Sequence, residues 1–408
     1  MTRPELLAPA GNLNKLKLAF YYGADAVYVG GKNFSLRTFA DNFTDEELAE
    51  GIAFAHARGK KVYVAVNIFA RNADFAQLPE YFRTLEHIGA DAVLVSDLGV
   101  FRACRKAAPS LPIHISTQAN TTNSQSAAMW KELGASRVVL ARELSLEEIA
   151  KIHEENPGLE LEAFVHGAMC ISYSGRCLLS DYLDGRPSNR GACVQACRYR
   201  YEIRTQECRN DGWTEVQEDG NGTYFLNSKD LNMSAHLSEL EQAGVCSFKI
   251  EGRMKSEYYL ATVVNAYRRI LDGGDLQALQ EELSCAAHRD YTTAYMLGKN
   301  GKTVSYDNSQ TKGTCEFIAV VRGYESPENG FGSEGRSGRV YAEMRTRFYE
   351  GDVLEILSPS DAFGKEIVVT HMKDSTGAPC TDAKRVQEIV SFDCSYALHE
   401  GDILRRRR

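Results

Sequence analysis

One phrase recurs along this chain: a helical run closes on glycine, and a short apolar run rich in Val, Ile and Tyr follows and ends on a polar residue. It reads Gly23-Ala-Asp-Ala-Val-Tyr-Val, Gly59-Lys-Lys-Val-Tyr-Val-Ala-Val-Asn67, Gly89-Ala-Asp-Ala-Val-Leu-Val-Ser-Asp97, Gly134-Ala-Ser-Arg-Val-Val-Leu-Ala-Arg142 and Gly244-Val-Cys-Ser-Phe-Lys-Ile-Glu251. Each glycine suits a helix C-cap, where a left-handed backbone costs little without a Cβ. The apolar runs are too short for helices and too continuous for half-exposed strands, so they read as parallel strands covered by helices on both sides. Adding Glu5–Leu7, Ile113–Ser116 and Leu161–Val165 makes eight strands, and eight βα units in about 250 residues is the arithmetic of a TIM-type (βα)8 barrel. A doubly wound open sheet is the rival, but the first turn, Ala8-Pro-Ala-Gly11-Asn-Leu, lacks the Gly-x-Gly-x-x-Gly phrase that such folds place there.

Two stretches depart from the repeat. About 80 residues separate the seventh strand, ending near His166, from the eighth, starting near Ser247, far more than an ordinary βα connection. This places a cysteine-rich insertion, at about 167–245, at the mouth of a barrel domain spanning 1–312. From Gly313 onward the pattern becomes short strands with two Gly-Asp turn phrases, at Gly351-Asp352 and Gly401-Asp402. That spacing predicts a small C-terminal all-β barrel over 313–408.

Composition narrows the class. A chain of 408 residues with 43% hydrophobic and 25% charged side chains has the makeup of a soluble globular protein. No stretch approaches the roughly 18 continuous apolar residues of a membrane span, and the start, Met1-Thr-Arg-Pro-Glu, lacks the shape of a signal peptide. The expectation is a cytoplasmic protein with no membrane partner. In a reducing compartment its 11 cysteines are buried side chains, reactive thiols or metal ligands rather than disulfides. A net charge of −8 argues against a uniformly basic nucleic-acid coat and leaves room for a local basic face.

Four cysteines, Cys170, Cys177, Cys193 and Cys197, fall within 28 residues in a C-x6-C-x15-C-x3-C arrangement. An even spread would put about 0.8 cysteine in such a window. Four thiolates complete the ligand set of either a zinc ion or an iron-sulfur cluster. The wide first gap is unlike the close pairs of a zinc knuckle and favours a cluster, with zinc as the alternative metal. The remaining cysteines are scattered, and burial is their default.

These residues also carry a resemblance. Phe164-Val-His-Gly-Ala-Met-Cys170-Ile-Ser-Tyr-Ser-Gly-Arg-Cys177 and Asn189-Arg-Gly-Ala-Cys193-Val-Gln-Ala-Cys197-Arg resemble the peptidase U32, or collagenase-like, family. So do Glu5-Leu-Leu-Ala-Pro-Ala-Gly11, Phe34-Ser-Leu-Arg37, Ser116-Thr-Gln-Ala-Asn120, Arg142-Glu-Leu-Ser145, Asn227-Ser-Lys-Asp-Leu231 and Phe248-Lys-Ile-Glu-Gly-Arg-Met-Lys255. Within that family the chain is most similar to the prephenate-dependent tRNA uridine hydroxylases, which form 5-hydroxyuridine at the wobble position. The resemblance implies a four-iron four-sulfur (4Fe-4S) cluster on the four clustered cysteines and prephenate as hydroxyl donor. It also implies the tRNA anticodon loop as partner. A U32-type peptidase, or a hydroxylase of another RNA, is the alternative. The residues do not favour proteolysis, since there is no His-Glu-x-x-His and no Gly-x-Ser-x-Gly.

Reacting groups of a TIM barrel project from the C-terminal strand ends, which here carry Asn67, Asp97, Gln118, Asn120, Arg142, Glu143, His166, Glu251 and Arg253. Guanidinium forks clamp carboxylates, so Arg142 and Arg253 are the candidates to hold a small dicarboxylate, with Arg37 and Lys255 in support. Glu251 and His166 complete the catalytic candidates. Asn67, Gln118, Asn120 and Asn227 are candidates for substrate binding, the last three for reading a pyrimidine edge, and Tyr28, Phe69 and Tyr173 for stacking. Lys249 is expected to point into the mouth and pair with a residue such as Glu251. Arg176, Arg186, Arg190, Arg198, Arg200 and Arg204 make the insertion locally basic, and Arg405–Arg408 add four cations. The inserted group, beside the expected site, is expected to meet RNA phosphates, whereas a terminal run of this kind is most often solvated surface.

Overall fold

The computed structural model describes residues 3–32, 34–35, 42–199, 204–206, 213–215, 227–298, 303–304, 310–326 and 338–408, with backbone alone for 204–206 and 213–215. The chain packs as two units, one of Met1–Lys17, Asp25–Met254 and His288–Thr311, the other of Leu18–Ala24, Lys255–Ala287 and Lys312–Arg408.

In the first unit, seven parallel strands follow one another: β1 (Glu5–Pro9), β2 (Ala26–Gly30), β3 (Lys61–Val66), β4 (Ala92–Val95), β5 (Ile113–Ile115), β6 (Arg137–Val139) and β7 (Glu160–Ala168). Helices α1 (Leu13–Tyr21), α2 (Asp45–His56), α3 (Leu78–His87), α4 (Leu98–Ala107), α5 (Ser124–Glu132) and α6 (Leu146–Glu155) follow β1 to β6 in turn. The insertion contributes α7 (Leu179–Asp184), a short hairpin of β8 (Arg204–Gln206) and β9 (Trp213–Glu215), then β10 (Asp230–Asn232) and α8 (Leu237–Gln242). The eighth barrel strand, β11 (Val245–Ile250), pairs in parallel with both β7 and β1, so the sheet closes and the TIM barrel is established. All five glycines of the repeat hold positive φ, from 65° at Gly59 to 101° at Gly23, the left-handed geometry that ends each helix and releases a strand. Among the described residues, no helix is long and apolar enough to cross a membrane.

The interior of the barrel is charged where an apolar plug would be the default. Glu162, fully buried, binds Lys249 Nζ at 2.6 Å and Arg137 Nη1 at 3.1 Å. Arg137 Nη1 also reaches Glu5 at 2.7 Å, and Tyr63 donates to Glu5 at 2.6 Å. Two buried cations thus face two interior carboxylates, the condition under which buried charge is tolerated. Burial would raise the pKa of Glu162, but Lys249 and Arg137 outweigh it and hold the carboxyl at about 2. Lys249 therefore pairs with Glu162 on β7 rather than with Glu251 as expected. His114, edge-on to Tyr63 with centroids 4.8 Å apart, is pushed down to about 3 by burial and then by Arg137, and stays neutral.

The second unit contains α9 (Glu257–Leu271) and α10 (Leu276–Leu283), then β13 (Cys315–Glu325), β14 (Gly338–Met344), β16 (Val353–Leu357), β17 (Glu366–Val368), β19 (Ile389–Cys394) and β20 (Ile403–Arg407). These six strands form an antiparallel sheet in the order β17-β16-β20-β13-β14-β19. β15 (Phe348–Tyr349) and β18 (Asp382–Ala383) pair separately, and β12 (Tyr291–Thr292) lies beside β10 in the first unit. The segment after β17 joins the far edge at β19 through the Lys373–Ser391 bridge and the bond from Asp393 N to the Thr370 carbonyl at 3.1 Å, so the two edges of the expected C-terminal antiparallel β domain meet over an apolar core of Ile318, Phe348, Ile356 and Phe392.

The arginine run is not a free basic tail. Arg405 is fully buried and its guanidinium meets Glu282 and Glu355. Arg406 binds Asp352 at 2.5 Å, Arg407 binds Glu355, and Arg408 lies 3.7 Å from Glu316. Strand alternation sends neighbouring arginines to carboxylates on opposite faces, so the run is ion-paired within its own unit.

Acid titration tests the barrel interior. The unfolded chain binds protons at His114 below about 6.5 and at Glu162 below about 4.3, whereas the folded chain binds neither until far lower. Urea midpoints should therefore fall as pH drops from about 6.5 towards 3, and His114→Phe should flatten the upper part of that slope. At neutral pH, Glu162→Gln should cost about 3–5 kcal/mol, because it leaves two buried cations short of a partner. Arg405→Ala should cost a similar amount, about 3–5 kcal/mol, while the exposed Arg408→Ala should cost under about 1 kcal/mol, read from the same unfolding curves.

Candidate active site at the barrel mouth

A cavity of about 140 Å³ opens at the C-terminal ends of the barrel strands. Its walls bring together Asn67, Ser116 and Gln118 on one side, Arg142, Lys249, Glu251 and Arg253 on another, and the rings of Tyr28 and Phe164. All four clustered cysteines line it as well. Sequence spacing thus placed Asn67, Gln118, Arg142, Glu251 and Arg253 in one site together with the cysteine cluster.

Each cation is held by a built surround. Arg142 is 8% exposed, donates from Nη1 to the Ala168 carbonyl at 2.9 Å and from Nη2 to Ser174 Oγ at 3.1 Å, and lies 5.1 Å from the Phe164 ring centre. Its buried Nε has no hydrogen-bond partner among the described residues. Arg253, 3% exposed, donates to Asn42 Oδ1 at 3.1 Å. Gly30, at the end of β2, makes room for it, because a Cβ there would stand 2.5 Å from Arg253 Nη1. Lys249 lies over the Tyr28 ring at 4.5 Å while bound to Glu162, so the charged barrel interior continues up into the site.

The insertion is tied down over this mouth by three arginines. Arg190 grips Asp74 at 2.9 and 3.1 Å and the Phe69 carbonyl at 2.9 Å. Arg176 donates to Asn120 Oδ1 at 2.8 Å and stacks 5.3 Å from the Phe69 ring centre. Arg142 supplies the third tie through Ser174. Gly175 passes over Gln118 at φ 77°, and a Cβ there would come within 3.0 Å of Gln118 Cγ.

Several expected residues have other duties. β7 runs on to Ala168 because β10 pairs with its end, so His166 is buried inside the ladder, opposite Asn232 and Ile250, with Tyr291 beside its ring. It is not among the residues that line the cavity with Cys170. Asn120 is a strut, donating to the Ser174 carbonyl at 3.1 Å. Asp97 caps α4 by accepting from Val100 N at 2.9 Å. Glu143, Phe69, Tyr173, Asn227 and Lys255 are absent from the lining; Asn227 is fully buried and Lys255 bonds to the Ala287 carbonyl. Of the insertion's arginines, Arg176 donates to Asn120, Arg190 to Asp74 and Arg198 to Gln195. Arg37, Arg200 and the side chain of Arg204 lie outside the described residues. Sequence reading missed Ser116, Ser174 and Glu162. Only Glu162 carried a signal, as a lone charge in the apolar run Leu161-Glu-Ala-Phe-Val, matched by Lys249 in Ser-Phe-Lys-Ile.

A barrel whose mouth joins cations, amides and four thiols under a tethered insertion is built as an enzyme acting at its strand ends. The chain belongs to peptidase family U32: residues 11–306 match that family and residues 313–405 match its C-terminal domain. It is 38% identical to tRNA hydroxylation protein P1 of Bacillus subtilis, covering 99% of this chain and 95% of that protein. It is 36% identical to tRNA hydroxylation protein P of Escherichia coli, over 92% of this chain and 90% of that protein. A 23S rRNA 5-hydroxycytidine C2501 synthase of Escherichia coli is 36% identical over 66% of this chain and 39% of that protein.

Gly175→Ala should unseat the insertion without unfolding the barrel. A left-handed alanine costs about 1–2 kcal/mol, and its Cβ meets Gln118. Limited proteolysis should then cut within residues 169–199 several-fold faster, with the thermal unfolding midpoint of the barrel little changed.

Proposed function

We propose that this chain is a tRNA hydroxylase that forms 5-hydroxyuridine at the wobble position, takes its hydroxyl from prephenate, and carries a 4Fe-4S cluster on Cys170, Cys177, Cys193 and Cys197. The tRNA hydroxylation proteins similar to it over nearly its whole length support the class of reaction. The observation that carries the finer reading is the single cavity lined by four cysteines and three cations.

All four cysteines line one cavity, and four thiolates complete the ligand set of a 4Fe-4S cluster, one to each iron. The backbone N–H of Gln195 donates to Cys193 Sγ at 3.3 Å, and burial and the three other cysteines push the Cys197 thiol up while Arg198 opposes them. A cation and an N–H donor beside the thiolates are what a negatively charged cluster calls for. When bound, the cluster would supply one-electron chemistry beside the cavity.

The chain's own residues do the rest. Arg142 and Arg253 are the clamps for the carboxylates of prephenate, each held in place before the ligand arrives, which reduces the ordering cost of binding. Lys249 adds positive potential from below. Tyr28 and Phe164 offer rings against which a pyrimidine can lie once it has left the stack of a single-stranded loop. The tethered insertion limits water at the site.

Mass spectrometry of tRNA nucleosides from a deletion strain, with and without prephenate, tests the reading. The expected result is loss of 5-hydroxyuridine derivatives, restored by the gene only when prephenate is supplied; unchanged nucleosides in a strain without a second family member would overturn it. In the purified protein, Cys170→Ala, Cys177→Ala or Cys193→Ala should abolish most bound iron and the visible absorbance of the cluster. Arg142→Met should keep the iron and lower activity at least tenfold.

A further inference from the structure

Gln118 lines the cavity and is bonded on one side only. Its Oε1 accepts from Asn67 Nδ2 at 3.0 Å and from the hydroxyl of Ser116. Asn67 Nδ2 also donates to Ser116 Oγ at 3.2 Å. The Ser116 hydroxyl is therefore used in both senses, as acceptor from Asn67 and donor to Gln118. Turning the Gln118 amide by itself would set its NH2 group against that of Asn67, so the two amides can only turn together. Among the described residues, no hydrogen bond engages Gln118 Nε2. The side chain lines the cavity, and its Cγ packs under Gly175.

We infer that Gln118, with its Oε1 occupied by Asn67 and Ser116, offers an N–H donor to the base in the cavity and so selects a pyrimidine with a carbonyl at position 4 over one with an amino group there. The inference rests on the tRNA hydroxylase reading and assigns the choice of base to a particular atom. Uracil carries an acceptor at O4, whereas cytosine carries a donor at N4. A donor meeting a donor leaves both unpaired in a site sheltered from water, which is how a hydrogen-bonding pocket rejects an analogue. The same fold could serve a cytosine by reversing this one amide pair, with no change in the cationic wall or in the cysteines. Ser116 is a positioning residue here, since it acts on the base only through Gln118.

The test is binding of synthetic anticodon stem-loops that differ only in U or C at the target position, followed by fluorescence anisotropy with the full-length protein. The expected preference for the U loop is on the order of tenfold. Gln118→Glu keeps the contact to Asn67 but presents only acceptors, so the preference should vanish or reverse. Ser116→Ala frees the amide pair, and the U-to-C ratio should fall at least threefold. A merely structural role for Ser116 would not move that ratio. Equal binding of the two loops by the unaltered protein, or an undiminished U preference in both variants, would overturn the inference. Nucleoside analysis keeps the two readings apart: a protein that hydroxylates tRNA yet binds both loops alike sinks the assignment of Gln118 alone. A U preference abolished by Gln118→Glu in a protein without hydroxylase activity supports the assignment and sinks the enzyme.

Discussion

The fully buried carboxylate of Glu162, held between Lys249 and Arg137, is the interaction on which the rest of this barrel depends. It joins β7, β6 and β11 inside the ring, and Arg137 extends the link to Glu5 on β1. A buried ion pair gives little net stability relative to an apolar core, but removing one partner is costly. What the network adds is a polar interior that reaches the mouth. Lys249 belongs to both regions, paired to Glu162 below and lining the cavity above. The cationic character of the site is thus anchored in the barrel itself and not in loops that could drift.

The same economy shapes the insertion. Arginine in this segment suggested a surface for phosphates, yet Arg176 and Arg190 are spent on Asn120 and Asp74, holding the cysteine segment onto the loops after β5 and β3.

The barrel was legible because its signal is local and repeated: five glycine-ended helices followed by apolar runs identify five of the eight strands directly, and Gly59, Gly89, Gly134 and Gly244 all take the left-handed backbone this requires. The site was legible where chemistry follows strand ends, as for Asn67, Gln118, Arg142, Glu251 and Arg253. It was not legible where pairing is non-local. His166 looks like a strand end until β10, more than 60 residues later, pairs with the last residues of β7 and buries it. Nothing near Asn120 in sequence announces Arg176, and the arginine run at 405–408 reads as a tail because Glu282, Glu316, Asp352 and Glu355 lie far away along the chain. Charge in a sequence shows its sign but not its partner.

The place of β20 has a consequence for how the second unit comes to be folded. β20 lies between β16 and β13, with Cys315 opposite Arg407, and Arg405 takes its carboxylates from α10 and from β16. Until that strand docks, β13 and β16 both expose an unpaired edge, and Glu282 and Glu355 face each other without a cation. A sheet whose central ladder joins such distant positions forms slowly, because the entropy of closing the long loop is spent before its contacts are made. The second unit therefore passes through its folding with those two edges open until β20 arrives between them, a state prone to association with other chains.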